Sequence, residues 1–210
     1  MTLTKEISRL KLIGRTASPF VRRVAVTMDL LGIPYEVEPV ATAEQETLRR
    51  YNPVGRVPAL VMDDGEVLVD SGAIIDALAE MAGPDQRVLP LSGPDRRRVL
   101  RANALIVGAM EKAVAAYYEV TKKAEDKRDP AWRAACLDQA RSGLLALEEE
   151  AAEPWVCGFG PTMADVTVAA AMPFLAFAFT AEELDPAAMP KLAKVAAAVT
   201  ALPEWSRSAP

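Results

Sequence analysis

The sequence predicts an α/β N-terminal domain followed by an all-α helical bundle domain. Three observations carry that prediction. Over residues 1–82, short apolar runs of strand type alternate with helical stretches. Residues 83–94 break the pattern, with Pro84, Pro90 and Pro94 among polar neighbours, and read as an interdomain linker. From residue 95 to 210 every periodic segment has helical spacing. The length of 210 residues accommodates two small domains, and a hydrophobic share of 51% beside 25% charge gives a globular chain with ample core.

In chain order, residues 1–9 are expected to be a poorly ordered lead-in, and Leu10 to Gly14 reads as a first strand. A helix follows: Pro19 suits its first turn, Ser18 is a natural N-cap, and Val21, Val24, Ala25, Met28 and Leu31 share one face. Gly32 and Pro34 stop it. Tyr35 to Pro39 alternates as a second strand, Thr42 to Tyr51 reads as a short polar helix, and Asn52 to Gly55 as a loop. Ala59 to Met62 and Glu66 to Val69 are two further strands, with Asp64-Gly65 between them as a type I′ hairpin signal. Pro58 cannot donate to a ladder and belongs at a strand entrance. A cis Val57-Pro58 bond there would turn the Val57 backbone outward, free to pair with something extended. Ser71 reads as the N-cap of a helix on which Ala73, Ile74, Ala77, Leu78 and Met81 repeat. The order β-α-β-α-β-β-α is a thioredoxin-like arrangement, one small sheet with helices on both faces.

In the helical part, Val99, Ala102, Ile106, Ala109, Met110, Ala113, Tyr117 and Val120 form a stripe on a long helix from Asp95 to about Glu125. Gly108 inside it costs about 1 kcal/mol against alanine, which predicts the close approach of another helix. From Pro130 to Ala151, Trp132, Ala135, Cys136, Ala140, Leu144 and Leu147 form a second stripe, with Gly143 beside it. Thr162 to about Thr180 is apolar nearly all round, as a central bundle helix would be, and opens on the capping-box pattern Thr162-Met-Ala-Asp165. A last helix is expected from about Pro190 to Ala201, followed by Pro203-Glu204-Trp205.

The totals exclude several classes of function. A net charge of −5 and a pI near 5.0 argue against nucleic acid or an anionic membrane as partner. Cys136 and Cys157 are too few for a disulfide framework, and the absence of histidine removes Ser-His and Cys-His nucleophile pairs and most zinc sites. No metal is expected. Lys5, Glu6 and Arg9 have no apolar run behind them, so no signal peptide is expected and the protein reads as cytoplasmic. Val168 to Phe179 contains Pro173, is too short to span a bilayer and reads as a buried helix.

The chemistry concentrates around Arg56 to Ala77. Peptide groups at Val57 and a helix N-terminus at Ser71 make an acceptor for a peptide-like anion. Asp70 offers an anion to an ammonium, and Ser71 a hydroxyl and an N–H to a carboxylate. Taken alone, Asp70-Ser71 reads equally as a plain helix cap, and Ser18 as a cap of its own helix. Cys136 on a buried stripe and Cys157 in a turn do not read as catalytic, Asp165 reads as a helix cap, and Arg96-Arg97-Arg98 as a solvated face with a dimer contact as its alternative.

Four patterns occur in order along essentially the whole chain: Ser18-Pro-Phe-Val-Arg-Arg-Val, Asn52-Pro-Val-Gly-Arg-Val-Pro58, Asp70-Ser71, and Trp155-Val-Cys-Gly158 leading into Thr162-Met-Ala-Asp165. Together they resemble the soluble glutathione S-transferases, and the serine-proline start is most similar to serine-type bacterial and tau-like members. The resemblance implies a cytosolic homodimer that binds glutathione as co-substrate and transfers it to a hydrophobic electrophile. It places glutathione against Phe20, Arg56, Val57, Pro58, Asp70 and Ser71. Val57 and cis Pro58 would pair with the cysteinyl backbone, Asp70 and Ser71 with the γ-glutamyl end, and Arg56 with the glycine carboxylate. Ser18 is the implied catalytic donor to the thiolate, with Thr16 as the alternative. Tyr117 and Tyr118 sit on the helix that lines the electrophile pocket in this family, although Tyr117 also belongs to the apolar stripe. The resemblance implies a dimer interface around Ala73–Met81 and Val99–Met110. A free thiol with a pKa of ~8.5 is about 3% thiolate at pH 7, and lowering it by roughly two units requires ~2.7 kcal/mol. A hydroxyl hydrogen bond to an anion contributes about 1.5–3 kcal/mol and a helix N-terminus roughly 0.3–1 kcal/mol, so one serine there is enough. Ser18 stands where disulfide reductases of the glutaredoxin or omega kind carry cysteine, and the double-serine-cysteine stretch of zeta-type isomerases is missing; both argue against those activities. Peroxidase activity on organic hydroperoxides and a non-catalytic interaction module are the alternatives.

Overall fold

The chain builds a four-stranded sheet from β1 (Leu10–Ile13), β2 (Tyr35–Glu38), β3 (Ala59–Val61) and β4 (Val67–Val69), in the order β2-β1-β3-β4. This computed structural model describes residues 10–209, and the lead-in expected at residues 1–9 lies outside the described residues. β1 pairs parallel with β2 and antiparallel with β3, which pairs antiparallel with β4. The parallel pair needs a crossover, and α1 (Pro19–Leu31) supplies it. α2 (Gln45–Tyr51) begins later than the sequence suggested, because Ala41 to Glu44 form a turn in which the Glu44 carboxylate accepts from the Ala41 N–H. On its side of the sheet Leu48 packs with Ile13, Val40 and Ala59. Strand alternation sends Leu12 and Leu60, both fully buried, to the opposite face, the side of α1 and α3 (Ser71–Ala82). Burying each such side chain contributes about 1.5–3 kcal/mol. This is the thioredoxin-like layer arrangement that the sequence predicts.

The β3–β4 turn is not the expected type I′. That type needs positive φ at both central residues, and of Asp64-Gly65 only Gly65 has it, at 89°. The Gly65 N–H bonds to the Met62 carbonyl at 3.0 Å and the Met62 N–H to the Glu66 carbonyl at 2.8 Å. Asp63 and Asp64 therefore make an ordinary turn and Gly65 a left-handed bulge, the three-residue hairpin loop. The paired strands stop at Val61 and resume at Val67, one residue short of the expected Met62 and Glu66 on each side.

The remaining helices are α4 (Gly93–Thr121), α5 (Pro130–Glu150), α6 (Met163–Ala178), α7 (Pro190–Thr200) and α8 (Pro203–Arg207). The chain divides into two compact units, Arg87–Leu202 and the rest. The described residues up to Gln86 are joined in the first unit by those from Pro203 on, so α8, read from sequence as part of the helical domain, packs on α1. Arg22 lies over the Trp205 ring, 4.0 Å from its centroid.

In the second unit α4 packs against α5 and α6, and α7 against α6 and α5. The close approach expected at Gly108 is absent: that residue faces solvent, and a Cβ there would meet nothing within 4 Å. Gly143 of α5 makes the approach instead, since a Cβ on it would lie 3.3 Å from Ala109 Cβ and 3.4 Å from the Leu105 carbonyl oxygen. The buried face of α5 is Cys136, Leu137, Ala140, Leu144 and Leu147. Ala135 lies off that arc, and Trp132 is 46% exposed with Lys123 over its ring, so neither belongs to the core as the stripe suggested. α6 is buried from Met163 to Ala171 but not to its end: Pro173 is exposed and Phe177 is 77% exposed. Its start is the expected capping box. The buried Asp165 carboxylate accepts from the Thr162 N–H at 2.7 Å, the Thr162 hydroxyl at 2.6 Å and the Val156 N–H at 2.6 Å. Burial raises the Asp165 pKa, while those hydrogen bonds pull it down. Among the described residues no helix is long and apolar enough to cross a membrane.

Candidate functional site

Three backbone corners of the first unit carry most of the residues singled out from sequence: the start of α1, the Val57-Pro58 corner and the start of α3. Gly14, with φ of 127°, lets the end of β1 touch the other two elements of this region. A Cβ there would come within 2.7 Å of Val21 Cγ2 and 3.0 Å of Val57 Cβ. The start of α1 and the start of α3 are tied by a buried hydrogen bond from Arg23 Nη1 to Ser71 Oγ at 2.8 Å.

Ser18 is the N-cap of α1 by backbone conformation, but its side chain makes no cap hydrogen bond. The carbonyl of Ser18 accepts from the Arg22 N–H at 2.8 Å, Pro19 has no N–H, and the Phe20 and Val21 N–H groups have no backbone acceptor among the described residues. A half-buried hydroxyl thus sits beside two uncommitted donors at a helix N-terminus, where negative charge is stabilised. Thr16 differs: its hydroxyl donates to the Ala209 carbonyl at 3.3 Å, in the segment that follows α8. Phe20 is half-buried on the first turn.

The Val57-Pro58 peptide is cis, as the sequence reading requires. Among the described residues the Val57 N–H and carbonyl make no backbone hydrogen bond, which leaves both for an extended ligand. Two residues that the sequence reading left without a role brace the loop before this corner. Buried Asn52 accepts from the Val54 N–H and donates to the Arg56 carbonyl, both at 3.0 Å, and Gln45 Nε2 donates to the Gly55 carbonyl at 3.0 Å. The Arg56 side chain is exposed at the end of that loop.

At α3 the cap assignment changes. Asp70, not Ser71, is the N-cap: its Oδ1 accepts from the Gly72 N–H at 2.7 Å and the Ala73 N–H at 3.3 Å. Asp70 has φ of 72°, and among the described residues it is the only non-glycine with positive φ. Such a conformation costs about 1–3 kcal/mol and clusters at functional sites. Ser71 falls one position later, in the first turn, where its hydroxyl accepts from Arg23 rather than capping. Arg23 is completely buried, and burial pulls its pKa down to about 10 against the opposing pull of Asp70, so it is a cation at neutral pH. The sequence pattern gave no role to Arg23, which by helical spacing lies off the face formed by Val21, Val24, Ala25 and Met28.

Tyr117 and Tyr118 belong to the second unit. Tyr117 meets Tyr118, Phe174 and Phe177 at centroid distances of 6.1, 5.8 and 6.3 Å, and Phe174 meets Phe179 at 6.3 Å, an aromatic group with Phe177 largely exposed. Tyr117 is half-buried rather than core. Cys136 and Cys157 are buried free thiols, and burial beside Asp165 pushes the Cys157 thiol up to about 11. A cavity of about 340 Å³ in this unit is lined by Arg98, Arg101, Glu150 and Cys157 among others, but Arg101 pairs with Glu150 and Arg98 with Asp95. Among the described residues no cluster of three or more acidic or cysteine side chains could hold a metal ion.

A family profile described as glutathione S-transferase, N-terminal domain, matches residues 12–86, the span that carries Ser18, Arg56 to Pro58 and Asp70-Ser71. The GST-like protein YibF of Escherichia coli is 28% identical over 121 residues, 57% of this chain and 59% of YibF, so the match spans less than two thirds of that relative. Maleylpyruvate isomerase of a Ralstonia species is 33% identical over 156 residues, 68% of this chain and 71% of that protein. Among solved structures, a glutathione S-transferase from Methylobacillus flagellatus with glutathione bound superposes with a TM-score of 0.86 at 27% identity, over 96% of this chain and 99% of that one. Fold, motif order and these similarities agree, and the chain belongs to the glutathione S-transferase family.

Proposed function

We propose that the protein is a glutathione transferase: it binds glutathione, holds its thiol as a thiolate through the Ser18 hydroxyl, and presents it to a hydrophobic electrophile. The observation that carries this reading is the contrast at the start of α1. Ser18 stands at the helix N-terminus with its hydroxyl unused by the helix, while the Thr16 hydroxyl is engaged by Ala209. The hydrogen bond of about 1.5–3 kcal/mol, with the helix N-terminus behind it, supplies the ~2.7 kcal/mol that lowering a thiol pKa by about two units requires. Ser18 acts as a donor and not as a nucleophile, so the chemistry needs neither histidine nor a metal.

In this reading Val57 pairs with the cysteinyl backbone, Pro58 fixes that corner, and Phe20 packs beside the ligand. Ser71 takes the γ-glutamyl carboxylate, the second oxygen of Asp70 takes its ammonium, and Arg56 takes the glycine carboxylate. The aromatic group around Tyr117 and Tyr118 supplies apolar surface for the electrophile. The dimer contact is assigned to Ala73–Met81 and Val99–Met110, where Met81 is 53% and Leu100 37% exposed. A molecular mass near twice the 22.6 kDa of the chain in sedimentation equilibrium is the result this assignment predicts.

The experiment is retention on immobilised glutathione followed by conjugation of an activated aryl halide. Wild type is retained and active, and Ser71→Ala is not retained. A folded wild type that ignores glutathione contradicts the transferase reading and leaves the interaction-module alternative. The similarity to a maleylpyruvate isomerase favours a second reading, against which the missing double-serine-cysteine stretch near Ser18 stands. The same thiolate would add to an activated cis double bond and leave after rotation, so a cis unsaturated diacid belongs in the same assay, beside an organic hydroperoxide for peroxidase activity.

A further inference from the structure

We propose that Arg23 is a positioning residue that makes the Ser71 corner selective for a carboxylate, an inference that rests on the glutathione reading above. An arginine side chain carries five N–H donors and no acceptor, so in the 2.8 Å contact with Arg23 Nη1 the Ser71 oxygen must accept. A hydroxyl has one proton. Its acceptor is not Arg23, and among the described residues the Ser71 hydroxyl donates to nothing. Arg23 therefore fixes one lone pair inward and leaves the O–H to point elsewhere.

The backbone of α3 narrows what that elsewhere is. Of the first helical N–H groups, those of Gly72 and Ala73 both go to Asp70 Oδ1, and the Ile74 N–H goes to the Asp70 carbonyl. Asp70 thus closes the helix end except at Ser71 itself, whose N–H has no backbone acceptor among the described residues. What remains is one N–H and one O–H from a single residue, with a fully buried guanidinium directly behind them. Two adjacent donors backed by a cation fit an anion with two oxygens. An ammonium or amide N–H brought to the same place would meet a hydroxyl already oriented as a donor, and the positive charge behind it. The carboxylate of the γ-glutamyl end meets those requirements; a neutral group in its place does not.

Arg23 touches neither the thiol nor, in this arrangement, the ligand. Its effect passes through Ser71 and appears in recognition of one carboxylate rather than in the rate of the chemical step. The test compares glutathione with 4-aminobutyryl-cysteinyl-glycine, which lacks only that carboxylate, by calorimetry on the intact protein and by KM and kcat. Wild type prefers glutathione by about ten- to a hundredfold, the range of a charged hydrogen bond. In Arg23→Met the preference falls to a few-fold, affinity for the analogue is unchanged, and kcat at saturating glutathione stays within about twofold. Arg23→Lys restores part of the preference. Circular dichroism reports whether each variant folds, and if Arg23→Met does not, Arg23→Gln, which keeps a neutral donor for Ser71, is expected to lose the larger part of the preference. A folded Met or Gln variant that keeps the full preference for glutathione overturns the role of Arg23. A wild type that binds neither peptide instead overturns the glutathione reading itself, and the two failures are distinguishable because one appears in the variant and the other in wild type.

Discussion

At the scale of single residues the candidate site places ordinary groups where the backbone leaves something unpaired. Asp70 does two tasks that substitution can separate. Its carboxylate caps α3 through Gly72 and Ala73, and its charge faces solvent. Asn keeps a capping oxygen and tolerates positive φ. Asp70→Asn is therefore expected to melt within a few degrees of wild type while its KM for glutathione rises about three- to tenfold, as the loss of an exposed charged contact implies. Asp70→Ala loses the cap and keeps the unfavourable φ of 72°, and should lower stability by roughly 2 kcal/mol in urea unfolding. Equal thermal stability in the two variants would contradict the double role. The cysteines are predicted to be silent. With its pKa raised to about 11, Cys157 is mostly thiol well above neutral pH, on the order of 0.1% thiolate at pH 8. Native protein should take up essentially no aromatic disulfide reagent at that pH and two equivalents in denaturant, where both thiols are exposed. Rapid labelling of Cys157 in the native state would show that the burial argument is wrong.

At the scale of elements, legibility in the sequence followed how local the determining physics is. Ser18-Pro19 at the start of α1, Gly32 at its end and the Thr162–Asp165 box of α6 are decided within a few residues, and each stands where it was read. The Asp64-Gly65 pair is just as local but ambiguous, because Asp-Gly serves both a two-residue loop and the last two positions of a three-residue one. Ser71 and Asp70 compete for one cap, and the carboxylate, one position earlier, takes it. Gly108 and Gly143 are alike in sequence, and only the packing of α4 on α5 decides which of them allows close approach. Arg23 was illegible for the same reason: a charge at that position reads as solvated until α3 is placed beside it. Among the elements α6 depends most on one side chain. Asp165→Ala removes three hydrogen bonds from a fully buried position and leaves the Val156 and Thr162 N–H groups unpaired. An unfolding free energy lower by about 3 kcal/mol is expected, and a loss under about 1 kcal/mol would mean that the box is not what holds this end of the helix.

At the scale of the whole molecule, each of the two units has its own core, and the glutathione contacts proposed above all fall in the first. The first unit is closed by residues from both ends of the sequence, since α8 packs on α1, Arg22 stacks on Trp205 and Thr16 bonds to Ala209. That closure was not readable from the sequence, where the last residues follow four helices and no local feature assigns them to the first unit. It also bears on the proposed chemistry, because it engages Thr16 and leaves Ser18 as the hydroxyl at the start of α1. The most direct test of that central claim is a pH titration of the thiolate ultraviolet absorbance of glutathione bound to wild type, Ser18→Ala and Thr16→Ala. The account predicts that the bound thiol titrates about two units below its ordinary ~8.5 in wild type and Thr16→Ala, and within about one unit of 8.5 in Ser18→Ala. A bound thiol that titrates as low in Ser18→Ala as in wild type would contradict it.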